Sequence, residues 1–211
     1  MGYVDAGLTF ASGLRSILRQ DPDVVMVGEI RDADTARTAI QASITGHLVL
    51  SSFHANSTSA AFSRMIDMIG TNPIFSSSVR LIIAQRLVRK LADTKQPYRP
   101  DEATIKYIRK AFENVSPEVL EKYDINLDDI TLYHPVATED IPFGYKGRTV
   151  IMEQLVVSEK IQEFIRGDVS DVNTSAIEKA AKEEGMLTLE QKGLIAALKG
   201  DTTIEEISRV I

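Results

Sequence analysis

The fold is decided by D-P-D-V-V-M-V-G-E-I-R-D at Asp21–Asp32 and by T-G-H-L-V-L-S-S-F-H-A-N at Thr45–Asn56, one helix length further on. Asp21-Pro22-Asp23 is turn chemistry, and Val24–Val27 is a short apolar run of the kind that forms a strand buried on both faces. Gly28, Glu29, Ile30, Arg31 and Asp32 then fall at the strand's C-terminal end. A second strand, Leu48–Ser52, starts beside His47 and delivers Phe53, His54, Ala55 and Asn56 to the same rim. In open parallel α/β sheets ligands bind outside the carboxyl ends of the strands, so Glu29, Arg31, His54 and Asn56 are placed to face one.

Working outward, Leu8, Phe10, Leu14, Ile17 and Leu18 recur at helical spacing and predict an amphipathic helix over 9–20. Asp32 or Asp34 caps a helix that Gly46 ends, with a narrow stripe of Ala36, Ala39, Ile40 and Ile44. A third helix is expected from Thr58 to Ile69, closed by Gly70, and a fourth from Ile74 to Leu87. On the third, Met65 and Met68 read as core. Strands alternating with helices predict a parallel sheet with crossovers.

Lys95–Pro100, polar with two prolines, reads as a linker. Asp101 caps a charged helix to Phe112, Ser116-Pro117 opens a short one, and Thr131–His134 and Thr149–Leu155 read as strands, with Gly144 and Gly147 in the turn between them. From Ser158 on the pattern is helical: 158–166, 175–184 with Gly185 as its cap, 188–198, and a last helix whose Thr203 and Glu206 form a capping-box pattern.

Composition bounds the function classes. The 211 residues are 44% hydrophobic and 26% charged, an ordinary globular balance. No run of 18 apolar residues and no basic leader occur, so a cytoplasmic location is expected. There is no cysteine, which removes disulfides and thiolate metal sites. A net charge of −6 argues against nucleic acid as the main partner. Arg80, Arg86, Arg89 and Lys90 read either as a local basic strip or as solvated surface charges.

These motifs carry a resemblance. G-L-T-F-A-S-G-L-R-S-I-L-R-Q-D-P-D from Gly7, G-E-I-R-D from Gly28 and the Thr45–Asn56 stretch resemble the secretion ATPase superfamily, in particular the type II secretion and type IV pilus motors. The likeness continues more weakly through A-Q-R-L-V-R (84–89), G-Y-K-G-R (144–148) and T-T-I-E-E-I (202–207). It implies the C-terminal half of a RecA-like parallel-sheet P-loop ATPase core followed by a mainly helical module with a short β-element. The implied division is 1–91 for the partial core, 92–157 for an insert in the place of a zinc module, and 158–211 for a helical subdomain.

By the same resemblance G-E-I-R-D is the Walker B element, with Glu29 serving the Mg²⁺ shell indirectly or polarising the attacking water. Gly28 stands where many P-loop enzymes carry the Walker B aspartate. Thr45–Asn56 is the His box, in which His54 and His47 contact the nucleotide phosphate and Asn56 orients a water or His54. Arg31 and Arg86 are further cofactor-binding candidates. The pairing of Glu29 with Arg31 for purely structural reasons stays open beside this reading, as does a structural role for Arg31 and Asp32. His47 and His54, seven apart, lie on opposite faces or ends of their strand, so the two alone make no metal site. His134 reads as structural.

No G-x-x-x-x-G-K-[ST] occurs in the 211 residues, and with it go the phosphate cradle and its lysine. The expectation is therefore the C-terminal segment of a hexameric, ring-forming motor that uses ATP and Mg²⁺ and powers pilus assembly or type II secretion. Its partners would be copies of itself and an inner-membrane platform protein, at the cytoplasmic face of that membrane. Where the family carries two Cys-x-x-Cys pairs, this chain has none, and no zinc is expected. The insert over 93–145 favours assembly over retraction. The rival reading is a non-catalytic interaction or regulatory module that keeps the fold without binding ATP productively.

Overall fold

The computed structural model describes residues 9–211, so Gly7 and Leu8 at the start of the first motif lie outside the described residues. The chain resolves into two compact units, each discontinuous in sequence: Met1–Ile82 with Leu155–Ala181, and Ile83–Gln154 with Lys182–Ile211.

In the first unit, α1 (Phe10–Ile17) is opened by a reciprocal box between Thr9 and Ser12 and runs into a 3₁₀ turn, Leu18–Gln20. Strand β1 (Val24–Val27) follows, then α2 (Ala33–Ile44) with Asp32 as N-cap, β2 (Leu48–Ser51) and α3 (Thr58–Ile69), capped by Ser57 and closed by Gly70. β1 and β2 pair in parallel with Val24 opposite Leu48 and Val27 opposite Ser51. The crossover through α2 that this requires is the βαβ arrangement the sequence predicted.

One expectation fails here. Val25 and Val27 are buried with Leu14 and Ala39, but Val24 and Met26 are 53% and 82% exposed, and Leu48 and Leu50 beside them are exposed too. A strand presents alternate residues to opposite faces, so these four share the uncovered face. Behind the sheet, Ala36, Ile40 and Ile69 form a second small core that takes up Met65 and Met68. α6 (Glu159–Arg166, N-cap Ser158) belongs to this unit, and α7 (Thr174–Glu183) begins in it.

The helix predicted over 74–87 is not formed. Asn72 caps a 3₁₀ turn at Pro73–Phe75, and β3 runs from Leu81 to Leu91. Ile82, Ala84, Arg86 and Val88 point inward while Leu81, Ile83 and Leu87 stay exposed. That is a two-residue period which the apolar residues satisfy as well as a helical one, and the β-branched Ile82, Ile83 and Val88 favour the extended form.

In the second unit β3 pairs with β6 (Tyr145–Val156), and β4 (Gln96–Tyr98) pairs antiparallel with β5 (Leu132–His134). The expected linker at 95–100 is thus partly a strand. Pro97 is tolerated because both strands of a two-stranded sheet are edges. The aromatic rings of Tyr98 and His134 stack at 3.7 Å. α4 (Glu102–Ala111), capped by Asp101, and α5 (Pro117–Lys122) follow the prediction, as do α8 (Leu189–Leu198) and α9 (Ile204–Val210). Val88, Ile108, Phe112, Leu194 and Ile207 centre the core.

At α9 the predicted capping box is only half made. The Glu206 amide approaches Thr203 Oγ1 at 3.4 Å, but its carboxylate turns to β3. Arg89 donates to it from its backbone N–H (3.0 Å) and from Nη2 (2.6 Å), while Arg209 donates from Nε (3.2 Å) and Nη2 (3.0 Å). The Glu206 side chain is 2% exposed, and the Arg89 hydrogen bonds hold its pKa at about 2, against burial that pushes it up.

β6 starts earlier than predicted and takes in Gly147. Both Gly144 and Gly147 have positive φ, +69° and +75°, but a Cβ on Gly144 would lie 2.6 Å from the Val136 nitrogen and 2.8 Å from the Pro135 carbonyl carbon, whereas one on Gly147 meets nothing within 4 Å. Gly147→Ala is expected to cost about 1 kcal/mol, the left-handed conformation alone. Gly144→Ala adds a backbone clash and should cost about 3 kcal/mol. Denaturant titration of both variants reads the difference, and equal losses would show that the turn yields.

Candidate functional site

Asp32 fixes where α2 starts, since its carboxylate accepts from the Thr35 N–H at 2.8 Å and the Thr35 hydroxyl at 3.0 Å. The backbone hydrogen bond, chiefly, lowers its pKa. This is a structural role, one of the two readings left open for Asp32, and it leaves Gly28–Arg31 as the free rim of β1. That rim is tied to the rim of β2: the Ile30 N–H donates to the Ser52 carbonyl at 3.1 Å, and the Ser52 hydroxyl donates to the Gly28 carbonyl.

Glu29 sits at the junction, its side chain 16% exposed. Arg31 directs Nε (2.6 Å) and Nη2 (2.5 Å) to Oε2, and His54 brings Nε2 to 3.0 Å from Oε1. A carboxylate only accepts, so the His54 proton is on Nε2. The Arg31 hydrogen bond lowers the Glu29 pKa, burial opposes it, and the charges of Arg31 and His54 lower it further. The pair in turn raises Arg31. Glu29 is therefore ionised at neutral pH with both oxygens engaged.

A cleft of about 320 Å³ opens here, lined by Glu29, Ile30, Arg31, Phe53, His54 and Arg64. Two motifs separated by a helix thus meet in one concavity. Arg64 was not anticipated from the sequence. It lies on α3, donates from Nη1 to the His54 carbonyl at 3.0 Å, and stands 5.7 Å over the Phe53 ring. Long helical side chains lean toward the helix N-terminus, which carries Arg64 back over the loop preceding α3.

Other candidates lie elsewhere. His47 is at the opposite end of β2, where Nδ1 donates to the Ala42 carbonyl at 3.0 Å and lies 3.2 Å from the Thr45 hydroxyl; it closes the C-terminus of α2 and does not line the cleft. Asn56 is exposed, two residues past His54. Arg86 belongs to the second unit, donating to the carbonyls of Val210 (3.2 Å) and Gln85 (3.0 Å). Gly28 is exposed, and an added Cβ there meets nothing within 4 Å, so packing does not require glycine.

Among the described residues no three of His, Cys, Asp and Glu come together as a metal site, and no helix is long and apolar enough to cross a membrane. A single carboxylate at a cleft nevertheless suits Mg²⁺, which takes one or two carboxylates together with phosphate and water.

The type II/IV secretion system protein model matches residues 4–209. The chain is 43% identical over 208 residues to type II secretion system protein E of Xanthomonas campestris pv. campestris, covering 97% of this chain and 34% of that protein. It is 38% identical over 205 residues to the type IV pilus assembly ATPase PilB of Acinetobacter baylyi, covering 97% and 33%. It thus spans about a third of the length of these curated relatives.

Among solved structures, the pilus retraction motor PilT with bound ADP superposes with a TM-score of 0.62 at 23% identity, over 99% of this chain and 45% of that one. The Legionella pneumophila ATPase DotB gives 0.60 at 21%, over 96% and 42%. The α/β ATPase fold is shared with both. By the extent of the family match and the identity to these relatives, the chain belongs to the type II/IV secretion system protein family.

Proposed function

We propose that this chain supplies the Walker B and His-box half of the ATP-hydrolysing site of a hexameric motor that drives type IV pilus assembly or type II secretion. The observation that carries this is the contact of His54 with Glu29, two motif residues from separate strand ends meeting in one cleft. In this reading Glu29 is the catalytic carboxylate. It would hold the Mg²⁺ shell through water or polarise the attacking water, and the ion would contribute Lewis-acid neutralisation of phosphate charge.

Arg31 and His54 keep Glu29 ionised, and each has a proton donor to turn toward a phosphate oxygen. Gly28 leaves room at the rim and Asn56 orients the water or His54. Within this proposal His47 and Arg86 act on nucleotide only from beyond the cleft described above, His47 through the base of β2. The segment 93–145, folded here as β4, α4, α5 and β5, takes the place of a zinc module and supports assembly over retraction. Partners would be further copies of the chain in a ring and an inner-membrane platform protein, at the cytoplasmic face.

Phosphate release tests this. The full-length protein with ATP and Mg²⁺ should turn over, and the 211-residue chain alone should release no phosphate above buffer, because its sequence holds no G-x-x-x-x-G-K-[ST]. That same absence is what favours the second reading, a non-catalytic module. A full-length protein that binds no ATP would decide for it, and turnover by the isolated chain would overturn the division of the site.

A further inference from the structure

We infer that Arg64 is a positioning residue that sets His54 on Glu29; the inference rests on the site reading above. The His54 side chain is 84% exposed, so packing does not fix the ring. Its direction must come from its backbone. Ser52 secures the upstream end of that loop, through its carbonyl to the Ile30 N–H and its hydroxyl to the Gly28 carbonyl. Arg64 secures the downstream end, donating Nη1 to the His54 carbonyl while its guanidinium lies over Phe53.

One side chain thus holds the Phe53 ring and, through the His54 carbonyl, the peptide between His54 and Ala55. Swinging that peptide would carry Nε2 away from Glu29 Oε1, now 3.0 Å off. The arrangement depends on the guanidinium. Its fixed fork of N–H donors reaches the His54 carbonyl while its charge stands 5.7 Å over the Phe53 ring, whereas an ammonium presents donors and charge from one point. Arg64 has no carboxylate partner among the described residues, so its hydrogen bond and ring contact account for its place. Displacing a catalytic group by about 1 Å costs on the order of 100-fold in rate.

The test is a kinetic cycle in the full-length motor, with ring assembly and circular dichroism confirming each variant's fold. Arg64→Gln should lower kcat between about tenfold and 100-fold with the KM for ATP changed less than about threefold, and Arg64→Lys should fall beside it. In a His54→Ala background, Arg64→Gln should change kcat by less than about twofold, because its effect passes through His54. A raised KM with kcat kept, restored by Lys, would make Arg64 a phosphate-binding cation and overturn the inference; so would effects that multiply with His54→Ala. Should Arg64→Gln not fold, Arg64→Lys carries the same cycle. Glu29→Gln run in parallel separates the two levels: if it turns over normally, the site reading itself fails, and if it is dead while Arg64 and His54 act independently, only the positioning role fails.

Discussion

Glu29→Gln in the full-length motor is expected to reduce ATP hydrolysis by roughly 100-fold or more while leaving ATP binding and ring assembly intact. The substitution keeps the side-chain volume, but the amide has one acceptor oxygen where the carboxylate has two, so it keeps the hydrogen bond from Arg31 or the one from His54 and not both. What it removes is the charge that both partners maintain and the basicity a water-polarising group needs. Arg31 is 70% exposed, and an ion pair open to solvent on that side contributes little to folding, so the fold should survive. His54→Ala should behave differently, lowering turnover and its cooperativity around the ring. Steady-state hydrolysis and nucleotide affinity for each variant decide the matter. Wild-type turnover in Glu29→Gln would remove Glu29 from the chemistry, and failure of that variant to fold would assign the Arg31 pair to structure.

The second large effect is on stability. Glu206→Ala is expected to cost about 3 kcal/mol, because it strips a buried carboxylate from two guanidiniums and leaves the Arg89 N–H without its acceptor. For a chain of this size that lowers Tm by about 10 °C. Glu206→Gln keeps the volume, removes the charge and turns an NH₂ group toward donors of Arg89 and Arg209. A fall in pKa from 4.5 to about 2 corresponds to about 3 kcal/mol, but Arg89 and Arg209 are 47% and 58% exposed, so solvent screening reduces it to about 1–2 kcal/mol.

The sign follows from the direction of that shift. A depressed carboxyl pKa stabilises the folded state above the unfolded value and ceases to do so as pH falls through the folded one. The gap between wild type and Glu206→Gln should therefore be full above pH 4.5, narrow below it and vanish near 2. A gap that stays constant from neutrality to pH 2.5 would mean that the clamp acts by shape alone.

The sequence showed the first unit well because its signals are local. Turn residues, caps and apolar runs bound each element of the βαβ stretch, and the rule that ligands meet strand C-termini put Glu29 and His54 side by side. It misled over Ile74–Leu87, where the apolar spacing fits two periods and only burial against partners distant in sequence chooses between them. Thr203 and Glu206 matched a capping pattern, yet Glu206 is taken by Arg89, 117 positions away. Arg64 was invisible for a related reason, since its reach back to His54 depends on how α3 is set. His47 matched a motif but belongs to the far end of its strand, which the seven-residue spacing already allowed.

The discontinuity of the two units bears on how the protein is made. The first gains its last residues, Leu155–Ala181, only after most of the second has left the ribosome, and the second waits for Lys182–Ile211. Each closes through contacts distant in sequence, which slows folding. A truncation anywhere between 83 and 154 removes Lys182–Ile211, Glu206 with it, and also takes Leu155–Ala181 from the unit that carries Glu29, so it would be felt at Glu29 too.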